Sequence, residues 1–154
     1  MPDLFEQLVA DYLTGEGYLT KLNVNYRKAD NKQSGSDIDV LAFHPKTSKV
    51  IVADCKSWQN GLWADWMLLQ GSSQERRRER FKAVFQLDWA KGLTKKVKEE
   101  LGTTKYTYTV YCTHKGKVDP GEGDPSEHFQ LRRTADDHPI SVVTLKEMLD
   151  KTLE

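Results

Sequence analysis

The stretch that decides the fold is Asp37-Ile-Asp-Val-Leu-Ala-Phe43, followed by His44-Pro-Lys-Thr-Ser-Lys49 and Val50-Ile-Val-Ala-Asp-Cys-Lys56. The outer two runs are rich in apolar and β-branched residues, whereas the six residues between them include proline, serine and two lysines, which are typical of a turn. The pattern therefore predicts an antiparallel hairpin. Apolar residues occupy both faces of each run, which predicts a sheet that is covered on both sides.

The hairpin makes a prediction about four charged residues. A turn centred on the six-residue connection places Asp39 opposite Asp54 and Asp37 opposite Lys56. Because side chains alternate between the two faces of a strand, all four residues would share one face at the open end of the hairpin. Three carboxylates and one lysine are thus expected to form a single cluster.

The predicted cluster needs a partner for its charges. Two carboxylates directly opposed on neighbouring strands repel each other, and a sheet buried on both faces makes the repulsion more costly. A shared proton, neutralisation by Lys56 in a structural ion cluster, or a divalent cation could each hold Asp39 and Asp54 together. The residues alone leave the metal site and the structural cluster as equal alternatives.

The same residue types suit the hydrolysis of a phosphodiester bond. A cation held by Asp39 and Asp54 would act as a Lewis acid and lower the pKa of a bound water. Lys56, two residues after the second carboxylate, would point to the same face. There it could orient or deprotonate the water, or stabilise negative charge on the phosphate.

Two segments resemble those of a known family. Ser36-Asp-Ile-Asp-Val-Leu-Ala42 with Val50-Ile-Val-Ala-Asp-Cys-Lys56 is similar to the PD-(D/E)xK signature of the restriction endonuclease-like superfamily. Upstream, Leu4-Phe5-Glu6 and Gly17-Tyr18 resemble the opening of its Mrr-type and Holliday-junction-resolvase-type members. The second acid here is aspartate, where glutamate is more common. The resemblance implies one α/β nuclease-like domain, with a central mixed sheet flanked by helices in the order αβββαβ and then β and α, over residues 1–154.

The resemblance also implies a function and a ligand set. It implies a metal-dependent DNA endonuclease in which Asp39 and Asp54 bind Mg²⁺, with Mn²⁺ as a substitute. Lys56 would serve the attacking water, and the main-chain carbonyl of Cys55 would add a metal ligand. Relatives of this size act as homodimers or as partner subunits of a larger nuclease. The alternative from another class is a non-catalytic nucleic-acid-binding or assembly module that retains the nuclease fold.

Two further acids have competing interpretations. The resemblance implies Glu6 as an outer or second-metal ligand, but the spacing Asp3-x-x-Glu6 also fits a capping box at the start of a helix. Asp37 could be another ligand, although a supporting role as the cross-strand partner of Lys56 is favoured. The sequence does not decide between these roles for Glu6.

Contacts with DNA are expected from a basic segment and an aromatic residue. Residues 75–98 contain nine basic and three acidic residues, although the whole chain has a formal net charge of zero. Arg76, Arg77 and Arg80 could contact phosphates, and Trp58 could stack on bases or wedge a duplex. The alternatives are a solvated helix face for the arginines and a core position for the tryptophan.

The rest of the chain supplies elements around the hairpin. Phe5, Val9 and Leu13 have the spacing of the buried stripe of a helix that Asp3 can cap. The other predicted elements are a strand at 18–26, a loop at 28–36, a helix at 75–101 with a possible break at Gly92, strands at 105–113 and 140–143, and a helix at 145–153.

Length and composition limit the class of protein. The 154 residues fit one domain, and two cysteines do not indicate a disulfide framework. No apolar run approaches the roughly 18 residues that cross a bilayer, and no secretory signal is visible at the N-terminus. We therefore expect a cytoplasmic protein with no membrane contact.

Overall fold

The computed structural model describes residues 3–29, 31–57, 81–113 and 133–152, with the backbone alone for residues 31–34. Its elements are α1 (Leu4–Gly15), β1 (Leu19–Lys28), β2 (Asn31–Phe43), β3 (Val50–Lys56), α2 (Lys82–Phe85), α3 (Leu87–Leu101), β4 (Thr107–Cys112), β5 (Ile140–Thr144) and α4 (Leu145–Thr152). Within these ranges, none of the helices is both long enough and apolar enough to span a bilayer.

The strands form one mixed sheet in the order β1-β2-β3-β4-β5. The pairs β1–β2 and β2–β3 are antiparallel, whereas β3–β4 and β4–β5 are parallel. The predicted α/β class, with a mixed sheet flanked by helices, is confirmed. Parallel neighbours need a long connection, and the segment between β3 and β4 contains both α2 and α3.

Helices cover both faces of the sheet, as the two-sided apolar pattern predicts. On one face, α2 and α3 pack Val84, Leu93 and Val97 against the strands. On the other face, α1 supplies Val9 and α4 supplies Met148. All five side chains are at most 2% exposed, so each face of the sheet has its own apolar core. These two cores hold the strand ends that carry the charged residues.

Helix α1 begins and ends where its sequence predicts. The Asp3 carboxylate accepts a hydrogen bond from the Glu6 N–H at 2.8 Å, and the Glu6 carboxylate accepts one from the Asp3 N–H at 3.3 Å. This is a complete capping box, which satisfies amide groups that the first helical turn leaves unpaired. After the helix, Gly17 has a φ of +97°, a conformation that residues with a side chain rarely adopt.

Two predicted boundaries are wrong. Residues 28–36 were expected to form a loop because they are polar, but β2 begins at Asn31 and its pairing with β1 supplies the backbone hydrogen bonds. The predicted break at Gly92 lies instead at Gln86, whose φ of −115° and ψ of 116° separate α2 from α3. The predicted helical residues 75–80 lie outside the described part of the chain.

Candidate active site

The hairpin of β2 and β3 has the register that the sequence predicts, up to a point. Phe43 lies opposite Val50, and Val40 lies opposite Ala53, where the described pairing ends. Beyond this pair, the carboxylate of Asp39 turns towards the neighbouring strand, and its Oδ2 accepts a hydrogen bond from the backbone N–H of β3 at 2.8 Å. A side chain therefore replaces the sheet hydrogen bonds at the open end of the hairpin.

Strands β1 and β2 change faces at this same position. Leu22 and Val40 are paired and belong to the core under α1, whereas Val24 and Ile38, the next pair, belong to the core under α3. Between them, Asn23 has a φ of +54°, in the left-handed region that asparagine tolerates better than most residues. The side chains no longer alternate strictly between the two faces at this point, so Leu22 and Val24, which are two residues apart, lie on opposite faces of the sheet.

The face change corrects the predicted position of Asp37. This residue lies opposite Asn25 on β1, and its Oδ1 accepts a hydrogen bond from the Asn25 side-chain amide at 3.1 Å. Lys56 forms an ion pair with Asp54 on its own strand. The predicted cross-strand pair of Asp37 and Lys56 is therefore wrong, because the ladder that it assumed does not extend beyond Val40.

Asp54 is held by two partners. Its Oδ1 lies 2.9 Å from the Nζ of Lys56, and the two side chains are 12% and 20% exposed. Its Oδ2 accepts a hydrogen bond from the Tyr108 hydroxyl at 2.5 Å. The Lys56 ammonium group also lies 5.4 Å from the ring centre of Phe81. A carboxylate, an ammonium group and an aromatic face thus form one packed unit.

No pattern in the sequence indicates the role of Tyr108. Residues 105–113 were predicted as a strand, which β4 confirms, but the contact with Asp54 depends on the parallel pairing of β3 with β4. That pairing forms across a connection of about 50 residues and leaves no local sequence signal. Burial and the charge of Asp54 raise the pKa of Tyr108, so its hydroxyl remains a proton donor to the carboxylate.

One cavity of about 350 Å³ brings the charged residues together. Asp37, Asp39, Asp54 and Lys56 all line this cavity, which we call the Asp39–Asp54 cavity. The predicted cluster of three carboxylates and a lysine therefore exists, although its internal pairing differs. Lys82 of α2 also lines the cavity and was missed, since a lone lysine at the start of a helix carries no signal in the sequence.

The two carboxylates on β2 and β3 repel each other across this cavity. Burial and the charge of Asp54 raise the pKa of Asp39 to about 7, while the hydrogen bond from the Cys55 N–H opposes the rise. Burial lowers the pKa of Lys56, but Asp54 and Asp39 outweigh this effect and bring it above its usual value. Lys56 is therefore an ammonium ion at neutral pH, and Asp39 titrates in the physiological range.

The raised pKa of Asp39 predicts an unusual dependence of stability on pH. Its ordinary pKa of 3.8 applies to the unfolded chain, so between about pH 4 and pH 7 the folded protein binds the proton more tightly. The contribution of Asp39 to stability is thus complete below pH 4 and is lost as the pH rises through 7. Without divalent cations, we expect Asp39→Asn to gain on the order of 2 kcal/mol over wild type between pH 4 and pH 8.

Urea unfolding at several pH values in EDTA measures this difference. Asparagine keeps the oxygen that accepts from the Cys55 N–H and removes only the titration. Asp11→Asn, at an exposed position on α1, is the control for the amide substitution and should give a curve parallel to wild type. If the free energies of unfolding of wild type and Asp39→Asn keep a constant difference from pH 4 to pH 8, the raised pKa is contradicted.

Glu6 lies near the cavity without lining it. Its charge is close enough to raise the pKa of Asp39. Its carboxylate accepts from the Asp3 N–H, so the capping-box interpretation is confirmed. The role of Glu6 as a metal ligand stays a prediction, and it would require the carboxylate to leave or share this hydrogen bond.

Other expected site residues have different outcomes. The Cys55 side chain packs against the core under α1, on the opposite face from the Asp39–Asp54 cavity, and burial raises the pKa of its thiol, which disfavours the thiolate form. The role of the Cys55 main-chain carbonyl as a metal ligand stays a prediction. Trp58, Arg76, Arg77 and Arg80 lie outside the described residues.

The cavity offers a pair of carboxylates to a cation. In the described ranges, no three His, Cys, Asp or Glu side chains stand close enough to form a complete ligand group. Asp39 and Asp54 nevertheless supply the oxygen donors that Mg²⁺ and Mn²⁺ prefer, and Mg²⁺ commonly takes only one or two carboxylates and fills its shell with water and phosphate oxygens. Burial and the charge of Asp54 both raise the pKa of Asp39, and a bound cation would offset the repulsion between the two carboxylates, so these residues fit a divalent cation.

Comparisons with known proteins do not identify a family. No protein-family profile matches this chain, and no curated protein matches it. Among solved structures, the chain is similar to the crystal structure of a protein of unknown function, AF1548, with 16% sequence identity and a TM-score of 0.48. The similarity covers 97% of this chain and 67% of that one. A likeness of this degree establishes neither a fold family nor a function.

Proposed function

We propose that the chain is a restriction endonuclease-like, metal-dependent nuclease that hydrolyses phosphodiester bonds in DNA. The observation that carries the proposal is the Asp39–Asp54 cavity, where two carboxylates of adjacent strands and Lys56 meet at the open end of a hairpin. The resemblance of these strands to the PD-(D/E)xK signature supports the assignment. Mg²⁺ or Mn²⁺ is the proposed cofactor.

The residues around the cavity have distinct roles in this proposal. A cation held by Asp39 and Asp54 would supply a Lewis acid for the phosphate and lower the pKa of a bound water. Asp39 is oriented by the Cys55 N–H, and Asp54 by the Tyr108 hydroxyl. Lys56 as an ammonium ion stabilises the negative charge that develops on the phosphate.

One observation favours a non-catalytic alternative. Both oxygens of Asp54 already have protein partners, Lys56 and Tyr108, which is what a structural ion cluster would require. The chain would then be a nucleic-acid-binding or assembly module that keeps the nuclease fold. The proposed partner is DNA for the nuclease and for a nucleic-acid-binding module. For the nuclease, a second copy or a larger assembly would supply the site for the other strand.

Cleavage assays with Asp54→Asn test the proposal. We expect wild type to cut plasmid, linear or branched DNA with Mg²⁺ or Mn²⁺ and not with EDTA. Asp54→Asn should lower the rate by about 100-fold or more, because the amide cannot neutralise a cation. Asp11→Asn is the matched control and should cut at the wild-type rate.

Metal binding is measured by thermal unfolding of wild type, Asp11→Asn and Asp39→Asn. Mn²⁺ should raise the melting temperature of wild type and of Asp11→Asn, because a ligand of the folded state stabilises it, but not that of Asp39→Asn. Binding of DNA without cutting under all metal conditions would support the non-catalytic module. Equal cutting by wild type and Asp54→Asn would show that this cavity is not the site.

A further inference from the structure

A second concave surface lies beside the Asp39–Asp54 cavity, between strand β1 and helix α3. This surface, which we call the β1–α3 groove, has a volume of about 720 Å³. Two acidic residues line it, Glu99 and Glu100. Its basic lining residues are Lys21, Arg27, Lys28, Lys95 and Lys96. The groove is therefore positively charged in a chain whose formal net charge is zero.

The walls of the groove are fixed to each other at both ends. At one end, the Ala29 N–H donates to the Asp88 carbonyl at 3.0 Å. At the other, the Lys21 Nζ lies 3.1 Å from a carboxylate oxygen of Glu100. Between these points Gly92 brings the backbones of α3 and β1 into direct contact. The groove is thus a preformed channel along β1 rather than a gap between loosely packed elements.

The positive charge of the groove is not evenly distributed. Lys21 and Lys96 are each within 4 Å of an acidic side chain of α3, so their charges are largely compensated. Lys28 lines the groove from β1, and Lys95 lines it from α3. Neither has an acidic partner among the residues that the structure describes. Among the described residues, each wall of the groove therefore carries a lysine whose charge is not compensated.

The β1–α3 groove adjoins the Asp39–Asp54 cavity. Tyr26 lines both. Asn25 lines the groove and donates a hydrogen bond to Asp37 in the cavity at 3.1 Å. Lys28 follows Asn25 by three residues along β1, a distance of about 10 Å in an extended strand. A phosphate backbone that lies in the groove would therefore pass close to the Asp39–Asp54 cavity.

We propose that the β1–α3 groove binds the phosphate backbone of DNA, with Lys28 and Lys95 as the principal contacts. Lysine ammonium groups are compact charges that contact phosphates without reading the bases, so the groove would bind DNA independently of its sequence. The inference that bound DNA is cut in the adjoining cavity rests on the proposed nuclease function. The binding itself does not.

The test compares two double variants of equal charge. We expect Lys28→Ala with Lys95→Ala to weaken binding of a labelled duplex, measured by fluorescence anisotropy in EDTA, by about 5-fold or more. The slope of the logarithm of the DNA association constant against the logarithm of the salt concentration should become shallower by about 2. Each lost phosphate contact removes about 0.9 from this slope. Lys46→Ala with Lys49→Ala, in the exposed turn between β2 and β3, is the matched control and should bind like wild type. Arginine at both groove positions should keep the affinity and the slope.

The outcomes separate the groove from the nuclease. Groove-dependent binding by a protein that cuts no DNA would support the groove and reject the nuclease. Cutting by a protein whose affinity and salt slope are unchanged by the groove alanines would reject the groove and leave the nuclease. The groove is also rejected if wild type binds no DNA, or if the Lys46 and Lys49 control weakens binding as much as the groove variant does.

Discussion

Replacing Gly92 with alanine should lower the free energy of unfolding by about 3 kcal/mol or more, although alanine is the better helix former by about 1 kcal/mol. The reason is the contact of α3 with β1. A Cβ at this position would lie 1.8 Å from the carbonyl oxygen of Arg27 and 2.9 Å from its carbon. Both are backbone atoms of a strand within the sheet, so neither can rotate away as a flexible side chain would.

Relief of this clash would require α3 to move away from the sheet. The movement would stretch the 3.0 Å hydrogen bond from the Ala29 N–H to the Asp88 carbonyl. It would also separate the rings of Tyr26 and Trp89, which meet edge to face at 5.9 Å. These contacts join α3 to β1, so their loss adds to the cost of the clash.

Urea unfolding and melting temperatures test this prediction. For a protein of this size, a loss of about 3 kcal/mol corresponds to a fall of about 6–12 °C in melting temperature. Gly15→Ala is the matched control, because Gly15 is also helical and a Cβ there would meet no atom within 4 Å. It should leave stability unchanged or raise it by less than about 1 kcal/mol. Similar effects of the two substitutions would contradict the close contact at Gly92.

Gly92 also shows why some boundaries could not be predicted. A glycine within a helical pattern can end the helix or mark a close approach of another backbone, and the sequence around it looks the same in both cases. Here the glycine marks a close approach of the Arg27 backbone, and Arg27 is 65 positions away in the chain. The break at Gln86, which carries no such signal, separates the four-residue α2 from the fifteen-residue α3, and both helices contribute to the same core.

The candidate site was predictable where local rules determine it. The connection after Phe43 fixes the hairpin register, and this register places Asp39 and Asp54 at the same end of two adjacent strands. The predicted position of Asp37 is wrong, because the alternation of side chains between the two faces breaks at Asn23, which lies on β1 and not in the hairpin. A left-handed residue in the middle of a strand has no reliable sequence signal, since asparagine is also common in turns.

The charge pattern was informative in part. Residues 75–98 were identified as basic, and Lys95, within this segment, lines the β1–α3 groove. Lys28 was not identified, because it lies in a segment that was expected to form a loop. The opposing walls of the groove come from distant parts of the chain, so their shared charge is visible only after α3 has packed on β1.

Lys56→Ala should lower kcat for DNA cleavage by about 10³-fold, within the 10²–10⁴ range for loss of a group that acts on the transition state. The Nζ lies 2.9 Å from Asp54 Oδ1, so the ammonium group is held beside the proposed metal ligand. Alanine removes this charge while both carboxylates remain. We therefore expect Mn²⁺ still to raise the melting temperature of the variant, which separates loss of catalysis from loss of the metal.

Lys82→Ala is the matched control, because Lys82 lines the same cavity from α2 but its Nζ lies over the ring of Trp89, 4.9 Å from the ring centre. If Lys56 acts only through the positive charge that it adds to the cavity, the two alanine variants should lose similar activity. If it acts at the reacting phosphate, Lys82→Ala should lose less than about 10-fold while Lys56→Ala loses about 10³-fold. Lys56→Arg distinguishes charge from placement: a larger, planar guanidinium keeps the charge but cannot occupy the space between Asp54 and Phe81 in the same way, so we expect it to recover little of the lost kcat.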